Sequence, residues 1–368
     1  MDELNKIYVE PTSRCNLACV TCIRHSWDEP FGDMDWSVFQ SLVDGLADFP
    51  EAKTIAFAGF GEPLTHKRFP DMVRLAHERG LRTETTSNAM LLTPSLAGQL
   101  VDAGLDQLTV SIDGASDDAH GAVRPGASLD EITANIRTLY RLSEEASETP
   151  IRIGIEFVAM RRNVHELPAL QEVAHRIKAS FLLVTNVLPY TAELKDEILY
   201  DWRPDAGENQ GMPYNPRWIL PHMDWNCLTQ EPLAAIMRRN PNWSFLDISM
   251  NQRNNYCPFI RTGSLAVAWH GGVSPCPALL HTYACFIRRR EKVFRRCEFG
   301  RLPTDTLASI WRRPEYAAFR DRVREFDFSP CIDCGGCNMA EKNEEDCFGN
   351  PFPVCGDCLW ARGVLRCA

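Results

Sequence analysis

Cys15, Cys19 and Cys22, in the stretch "PTSRCNLACVTC", put three thiols into a loop eight residues long. Iron–sulfur clusters are commonly held by four thiolates, so a four-iron cube bound by three leaves one iron without a protein ligand. An open coordination position is where a metal centre receives a substrate, whereas a structural site is closed. The C-x3-C-x2-C spacing therefore points to a reactive cluster. The competing reading is a zinc site that takes His25 as its fourth ligand.

The chain carries fifteen cysteines, and none falls between residue 23 and residue 226. Nine of the later ones, Cys257, Cys276, Cys331, Cys334, Cys337, Cys347, Cys355, Cys358 and Cys367, stand in CxxC-like spacings, while Cys227, Cys285 and Cys297 read as ordinary thiols. Eight thiolates suffice for two fully ligated cubes, with Cys367 able to replace one of them. Zinc ribbons are the alternative, because two CxxC pairs also suit a zinc ion held by four thiolates. So many thiols are expected as ligands in a reducing compartment and not as disulfides. No apolar run approaches the ~20 residues of a membrane span, and the acidic start "MDELNKIYVE" leads straight into a strand, so a cytoplasmic protein is expected. A formal charge of -10 argues against a nucleic-acid surface, and the basic run Arg288 to Arg290, followed at once by Glu291, reads as a solvated loop or helix face.

These groups need a scaffold, and 368 residues with 45% hydrophobic content suffice for about two domains. Apolar, β-rich runs at "KIYVE", "TIAFAG", "RTETTSN", "QLTVSID", "IRIGIEFVAM" and "SFLLVTNVL" alternate with amphipathic stretches such as "DEITANIRTLYRLSEE". About six βα units predict a parallel sheet covered by helices, either doubly wound or a partial barrel. Polar residues follow the strands: the cysteine loop, Gly61-Glu62-Pro63, Ser87 and Asn88, Ser111 and Asp113, with Glu156 inside the fifth run and Asn186 after the sixth. In a parallel barrel these ends share one rim and converge on one cavity. Taken singly, each has a plainer reading as a turn or a helix cap.

The cysteine loop after the first strand, Gly61-Glu62-Pro63 after the second and the surrounding βα repeat resemble the radical S-adenosylmethionine (SAM) superfamily over residues 6 to about 190. Two positions depart from its pattern: Thr21 stands where an aromatic residue often precedes the third cysteine, and Phe60 replaces the first glycine of Gly-Gly-Glu. The resemblance implies a partial (β/α)6 TIM barrel and a [4Fe–4S] cluster whose open iron is chelated by SAM. Reductive cleavage would give a 5'-deoxyadenosyl radical that abstracts a substrate hydrogen. It further implies that Gly61, Glu62 and Pro63 face the SAM amino group. Ser87, Asn88, Ser111, Asp113 and Arg124 become candidates for the remaining SAM contacts, although Arg124 reads equally well as a surface ion pair.

The segment after Cys257 resembles the SPASM extension, an α+β domain that holds auxiliary clusters, with C-x2-C-x2-C at Cys331 to Cys337 where the family usually has a longer second gap. The expected organisation is a barrel over 1–190, a proline- and tryptophan-rich bridge over 191–255, and the SPASM-like domain over 256–368. The stretches "CNLACVTCIRHSWDEP", "TNVLPYTAELKDEILYDW" and "CGDCLWARGVLRC" resemble the group of tungsten cofactor oxidoreductase maturases. That likeness implies an enzyme acting on a protein, peptide or cofactor, with a flavodoxin- or ferredoxin-type reductant, an aldehyde oxidoreductase as partner, and no membrane or nucleic acid. A ribosomal-peptide-modifying enzyme of the same two-domain plan is the alternative. A plain electron carrier is disfavoured because it needs no SAM pocket.

Overall fold

Six of the apolar runs become parallel strands, β1 Lys6–Val9, β2 Thr54–Phe57, β3 Arg82–Ser87, β4 Gln107–Ser111, β5 Arg152–Ala159 and β6 Phe181–Asn186, paired in chain order. The computed structural model describes every residue outside 1–2, 201–216, 222, 225, 240–242, 245–255, 288–289, 330, 333–336 and 368. Every residue of β4 and β6 is buried, as expected of strands covered on both faces. Helices α1 Trp36–Gly45, α2 Phe69–Glu78, α3 Pro94–Asp102, α4 Asp117–Val123, α5 Leu129–Ala146 and α6 Leu170–Arg176 lie between the strands in sequence. Asp35, Thr93, Ser116 and Ser128 each accept a backbone N–H of the helix they precede, supplying partners the first turn lacks. Helices α2 and α3 stop at Gly80 and Gly104, whose φ values of 77° and 82° suit the left-handed closing residue.

The fold is a partial barrel of parallel strands and helices followed by a smaller α+β region. Beyond β6 the sheet continues with β7 Arg217–Ile219 and β8 Trp243–Ser244. On its other side, β9 Ser264–Val267 pairs in parallel with β1, Lys6 opposite Ser264 and Val9 opposite Val267. A hairpin then carries β10 Gly272–Ser274, antiparallel to β9, as the Cys257 to Cys276 stretch predicts. β11 Tyr283–Ile287 and β12 Arg290–Phe294 form a separate two-stranded sheet, and β13 Gly300–Arg301 edges the main one. Arg290 is thus a strand residue and not part of a loop or helix face; Arg288 and Arg289 lie outside the described residues, as do Cys334 and much of the expected bridge.

Two cores hold this together. One lies between the sheet and its helices and includes Phe39, Phe57, Phe69 and Phe157. The other packs Tyr8 and Ala56 of the strands against Phe259, Leu279, Tyr283 and Trp360 from the C-terminal third. Each large apolar side chain buried there contributes ~1.5–3 kcal/mol. The chain end is tied in by hydrogen bonds, from Asn186 Nδ2 to the Val364 carbonyl at 2.8 Å and from the Arg366 amide to Thr185 Oγ1 at 2.9 Å. Residues 360–367 therefore close over the end of β6.

Candidate active site

The C-terminal ends of the strands surround a cavity of about 290 Å³. Cys15, Cys19, Cys22, Gly61, Glu62, Ser87, Asn88, Ser111 and Arg124 all line it. Pro63 and Asp113, from the same expectation, do not: Pro63 opens a short turn of 3-10 helix, and Asp113 lies buried behind Arg124.

The cysteine loop is held by donors that leave its thiols facing the cavity. Arg24 donates from Nη1 to the Ser13 carbonyl and from Nη2 to the Leu17 carbonyl, both at 3.1 Å, while its Nε reaches Cys22 Sγ at 3.2 Å. Asn88 Nδ2 donates to Asn16 Oδ1 at 2.9 Å, fastening the loop to the end of β3. Burial pushes the thiols of Cys15 and Cys19 above their ordinary range, and the neighbouring cations Arg24 and Arg124 only partly oppose it. Cysteine ligands become thiolates on binding a strongly cationic centre, which is what an iron–sulfur cluster offers. His25 is not turned to this set; its ring stacks on Tyr190 with centroids 5.9 Å apart.

Glu62 is buried, and its carboxylate is engaged by the protein itself. Oε1 accepts from the Leu64 amide at 3.0 Å and from Ser87 Oγ at 2.8 Å, and Oε2 accepts from the Asn88 amide at 2.8 Å. The side chain thus locks the loop after β2 to the end of β3. Gly61 is required by close approach, because a Cβ there would lie 2.0 Å from the Thr12 carbonyl oxygen. Phe60, also on the cavity lining, packs its ring edge-on to Trp27 at 5.2 Å and to His281 at 5.8 Å.

Arg124 is in a buried ion pair and not on the surface. Its Nε donates to Asp113 Oδ2 at 2.7 Å, and Asp113 Oδ1 accepts the Val158 amide at 2.7 Å. His120 Nδ1 accepts the Asp113 amide at 3.2 Å, and burial lowers its pKa to about 4, so it is neutral beside the arginine.

The later cysteines divide spatially. Cys257, Cys276, Cys355 and Cys358 line one small apolar pocket with Phe259 and Leu279. Burial raises all four thiols, that of Cys257 to about 12, and each of Cys257, Cys276 and Cys355 is raised further by others of the set. Four thiols crowded into an apolar pocket fit a fully ligated cluster, which would neutralise their mutual repulsion. Ser329 Oγ lies 2.9 Å from Cys347 Sγ and also bonds to Cys331, which brings those two together. Cys337 is exposed. Cys367 does not line that pocket: Trp360 Nε1 donates to its Sγ at 3.1 Å, and its thiol feels the charges of Glu156 on β5 and of Cys358.

A further group joins the two halves. His281 is fully buried, with Nε2 2.8 Å from Glu10 Oε2 and Nδ1 2.8 Å from Glu29 Oε2. Burial opposes its charge, but the two carboxylates outweigh it and raise its pKa to about 9. Glu10 Oε1 in turn accepts the Phe60 amide at 3.1 Å, so the charge cluster reaches the loop after β2 directly. Sequence reasoning missed this cluster and Arg24, as well as Trp360 and Arg366 on the cavity wall. The only signal was an arginine two residues beyond Cys22; the partners of His281 lie 252 and 271 residues away.

A barrel whose strand ends gather three thiols of one loop into a cavity, with further thiol sites in the region joined to its edge, has the donor set of an iron–sulfur protein with one incompletely ligated cluster. Models of the radical SAM superfamily match residues 9–153, and of the iron–sulfur cluster-binding SPASM domain residues 257–338. The chain is 32% identical over 370 residues, 98% of its length and 96% of the relative's, to the "tungsten-containing aldehyde ferredoxin oxidoreductase cofactor-modifying protein" of Pyrococcus furiosus. Among solved structures, Streptococcus suis SuiB bound to precursor peptide SuiA shares the fold at 15% identity, TM-score 0.61, covering 91% of this chain and 70% of that one. The tagged anSMEcpe with bound AdoMet does so at 15% identity, TM-score 0.60, covering 98% and 93%. The chain belongs to the radical SAM superfamily and is an enzyme of its SPASM-bearing branch, using [4Fe–4S] clusters and SAM. When bound, the first cluster supplies the electron for reductive cleavage of SAM; the protein's part is to bind, orient and shield.

Proposed function

We propose that this enzyme is a maturase that modifies the cofactor of a tungsten-containing aldehyde ferredoxin oxidoreductase, with Cys15, Cys19 and Cys22 as the ligands of the SAM-binding cluster. The observation that carries the site assignment is the cavity in which those three thiols meet Gly61, Ser87, Asn88, Ser111 and Arg124. The substrate assignment rests on the full-length likeness to the Pyrococcus furiosus protein. Gly61 supplies backbone toward SAM, Arg124 is positioned by Asp113, and Glu62 orders the two loops that receive the ligand. One auxiliary cluster takes Cys257, Cys276, Cys355 and Cys358, and the other takes Cys331, Cys334, Cys337 and Cys347. Cys367 is left free. Residues 1–190 act as the barrel, 191–255 as the bridge and 256–368 as the auxiliary domain, in a cytoplasmic protein served by a flavodoxin- or ferredoxin-type reductant. Among the described residues no helix is long and apolar enough to cross a membrane.

The test is replacement of Cys15, Cys19 and Cys22 together by Ala. Production of 5'-deoxyadenosine from SAM should cease, while iron falls from about twelve to about eight per chain. Retained cleavage, or loss of all iron at once, defeats the assignment. Conversion of the cofactor fraction released from a tungsten-containing aldehyde ferredoxin oxidoreductase, compared with conversion of a precursor peptide, tests the substrate.

A further inference from the structure

The carboxyl groups around the cavity are not alike. Glu62 accepts three hydrogen bonds, and Asp113 is held by Arg124 and the Val158 amide. Glu156 lines the same cavity, and among the described residues its carboxyl group meets the charges of Arg124 and Asp113 but no hydrogen-bond donor. It stands opposite Ser111 in the β4–β5 register, with Val158, the next residue on its face, also on the cavity wall. Two residues before Ser111 on the same face of β4, the hydroxyl of Thr109, 1% exposed, is also without a partner among the described residues. Across from β5, Trp360, Leu365 and Arg366 form part of the wall, and Cys367 is brought close enough to sense the charge of Glu156. The side of the cavity away from the cysteine loop thus carries an acid that the protein does not hydrogen-bond, while Thr109 and Cys367 stay off its lining.

We propose that Glu156 exchanges a proton with the substrate, which presents an O–H or N–H group to it between β5 and the chain end. This rests on the reading of the cavity given above. In the step, the substrate O–H or N–H bond breaks, its electron pair stays on the substrate heteroatom, and the proton becomes the O–H of Glu156; the reverse step returns it. No oxidant or reductant is consumed. The titratable groups around Glu156 are Arg124 and Asp113 from the β4 side and, from the chain end, Arg366 on the cavity wall and Cys367. Burial raises the acid, Arg124 opposes, Asp113 adds, and the pKa comes to about 7. A carboxyl group with that value both gives and takes a proton near neutrality.

The experiment is an infrared pH titration of the cluster-loaded, SAM-bound enzyme, comparing wild type with Glu156→Gln and Glu156→Asp, with SAM affinity followed over the same range. A protonated-carboxyl band that titrates near neutrality in wild type, is absent in Glu156→Gln and returns shifted in Glu156→Asp is expected. Addition of the cofactor fraction from a tungsten-containing aldehyde ferredoxin oxidoreductase should displace that band. No titrating band, or the same band in Glu156→Gln, overturns the proposal. So does a change in SAM affinity of about tenfold or more in Glu156→Gln, which would assign the residue to SAM. A wild-type enzyme that cleaves SAM and shows the band, but does not respond to the cofactor fraction, refutes the substrate named above and leaves the proton assignment standing on the titration. A wild type that fails to cleave SAM refutes the earlier reading alone.

Discussion

Replacing His281 with Gln should uncover how much the charge cluster stabilises the junction between barrel and auxiliary domain. The imidazolium lies at 0% side-chain exposure between Glu10, also at 0%, and Glu29, with Arg296 3.6 Å from Glu29. A rise in pKa from 6.5 to about 9 corresponds to about 3 kcal/mol of preference for the charged form in the folded state. Removing one partner of such a group leaves buried carboxylates without their counter-charge, typically ~3–5 kcal/mol. The folded pKa of His281 is raised, so its contribution is complete below pH 6.5 and fades as pH climbs through about 9. That of Glu29 is depressed to about 2, so its share holds above 4.5 and is lost as pH falls toward 2. Anaerobic urea unfolding of the cluster-loaded protein, followed by fluorescence, is the assay. Trp27 stacks on His281 at 4.0 Å and reports the site locally. Wild type should exceed His281→Gln by about 3 kcal/mol near pH 6, with the gap closing toward about pH 10. A gap that is absent at pH 6, or unchanged at pH 10, refutes the reasoning.

Three more outcomes are expected. Gly61→Ala places a methyl 2.0 Å from the Thr12 carbonyl oxygen and 2.7 Å from that of Arg14, so equilibrium dialysis should show SAM binding lost. Glu62→Ala removes an acceptor of three hydrogen bonds, about 1 kcal/mol each, and should lower unfolding stability as well as SAM affinity; unchanged stability would mean the carboxylate is not a brace. Cys276→Ala and Cys347→Ala should each cost about four irons per chain by metal analysis while Cys367→Ala costs none, and iron loss in the last would return that thiol to a cluster.

The parallel sheet was legible because strands buried on both faces read as short apolar runs, and "FLLVTN" is buried at every position. The cysteine loop was legible because all its thiols lie within eight residues. Glu62 was only half legible: its motif stood out, but its partners Ser87 and Asn88 come from the next strand, and no local pattern announces that bond. The grouping of Cys355 and Cys358 with Cys257 and Cys276, and the separation of Cys367 from them, depend on the path of the chain end. Spacing alone treats these thiols as interchangeable. Phe60 shows the converse. It looked like a flaw in a glycine motif, yet its ring is one wall of the junction with the auxiliary domain.

The pairing of β1 with β9 has a consequence for the order in which the protein is made. β1 emerges first and finds β2 about fifty residues later, but its other edge waits until Ser264–Val267 have been synthesised. Closing a contact over so long a loop is slow, and meanwhile an unpaired strand edge is a template for association with other chains. Cys15, Cys19 and Cys22 hang from that same strand. A chain ending before Ser264 would therefore carry its whole cysteine motif on an open edge, and fragments of the barrel alone should aggregate where the full chain stays dispersed.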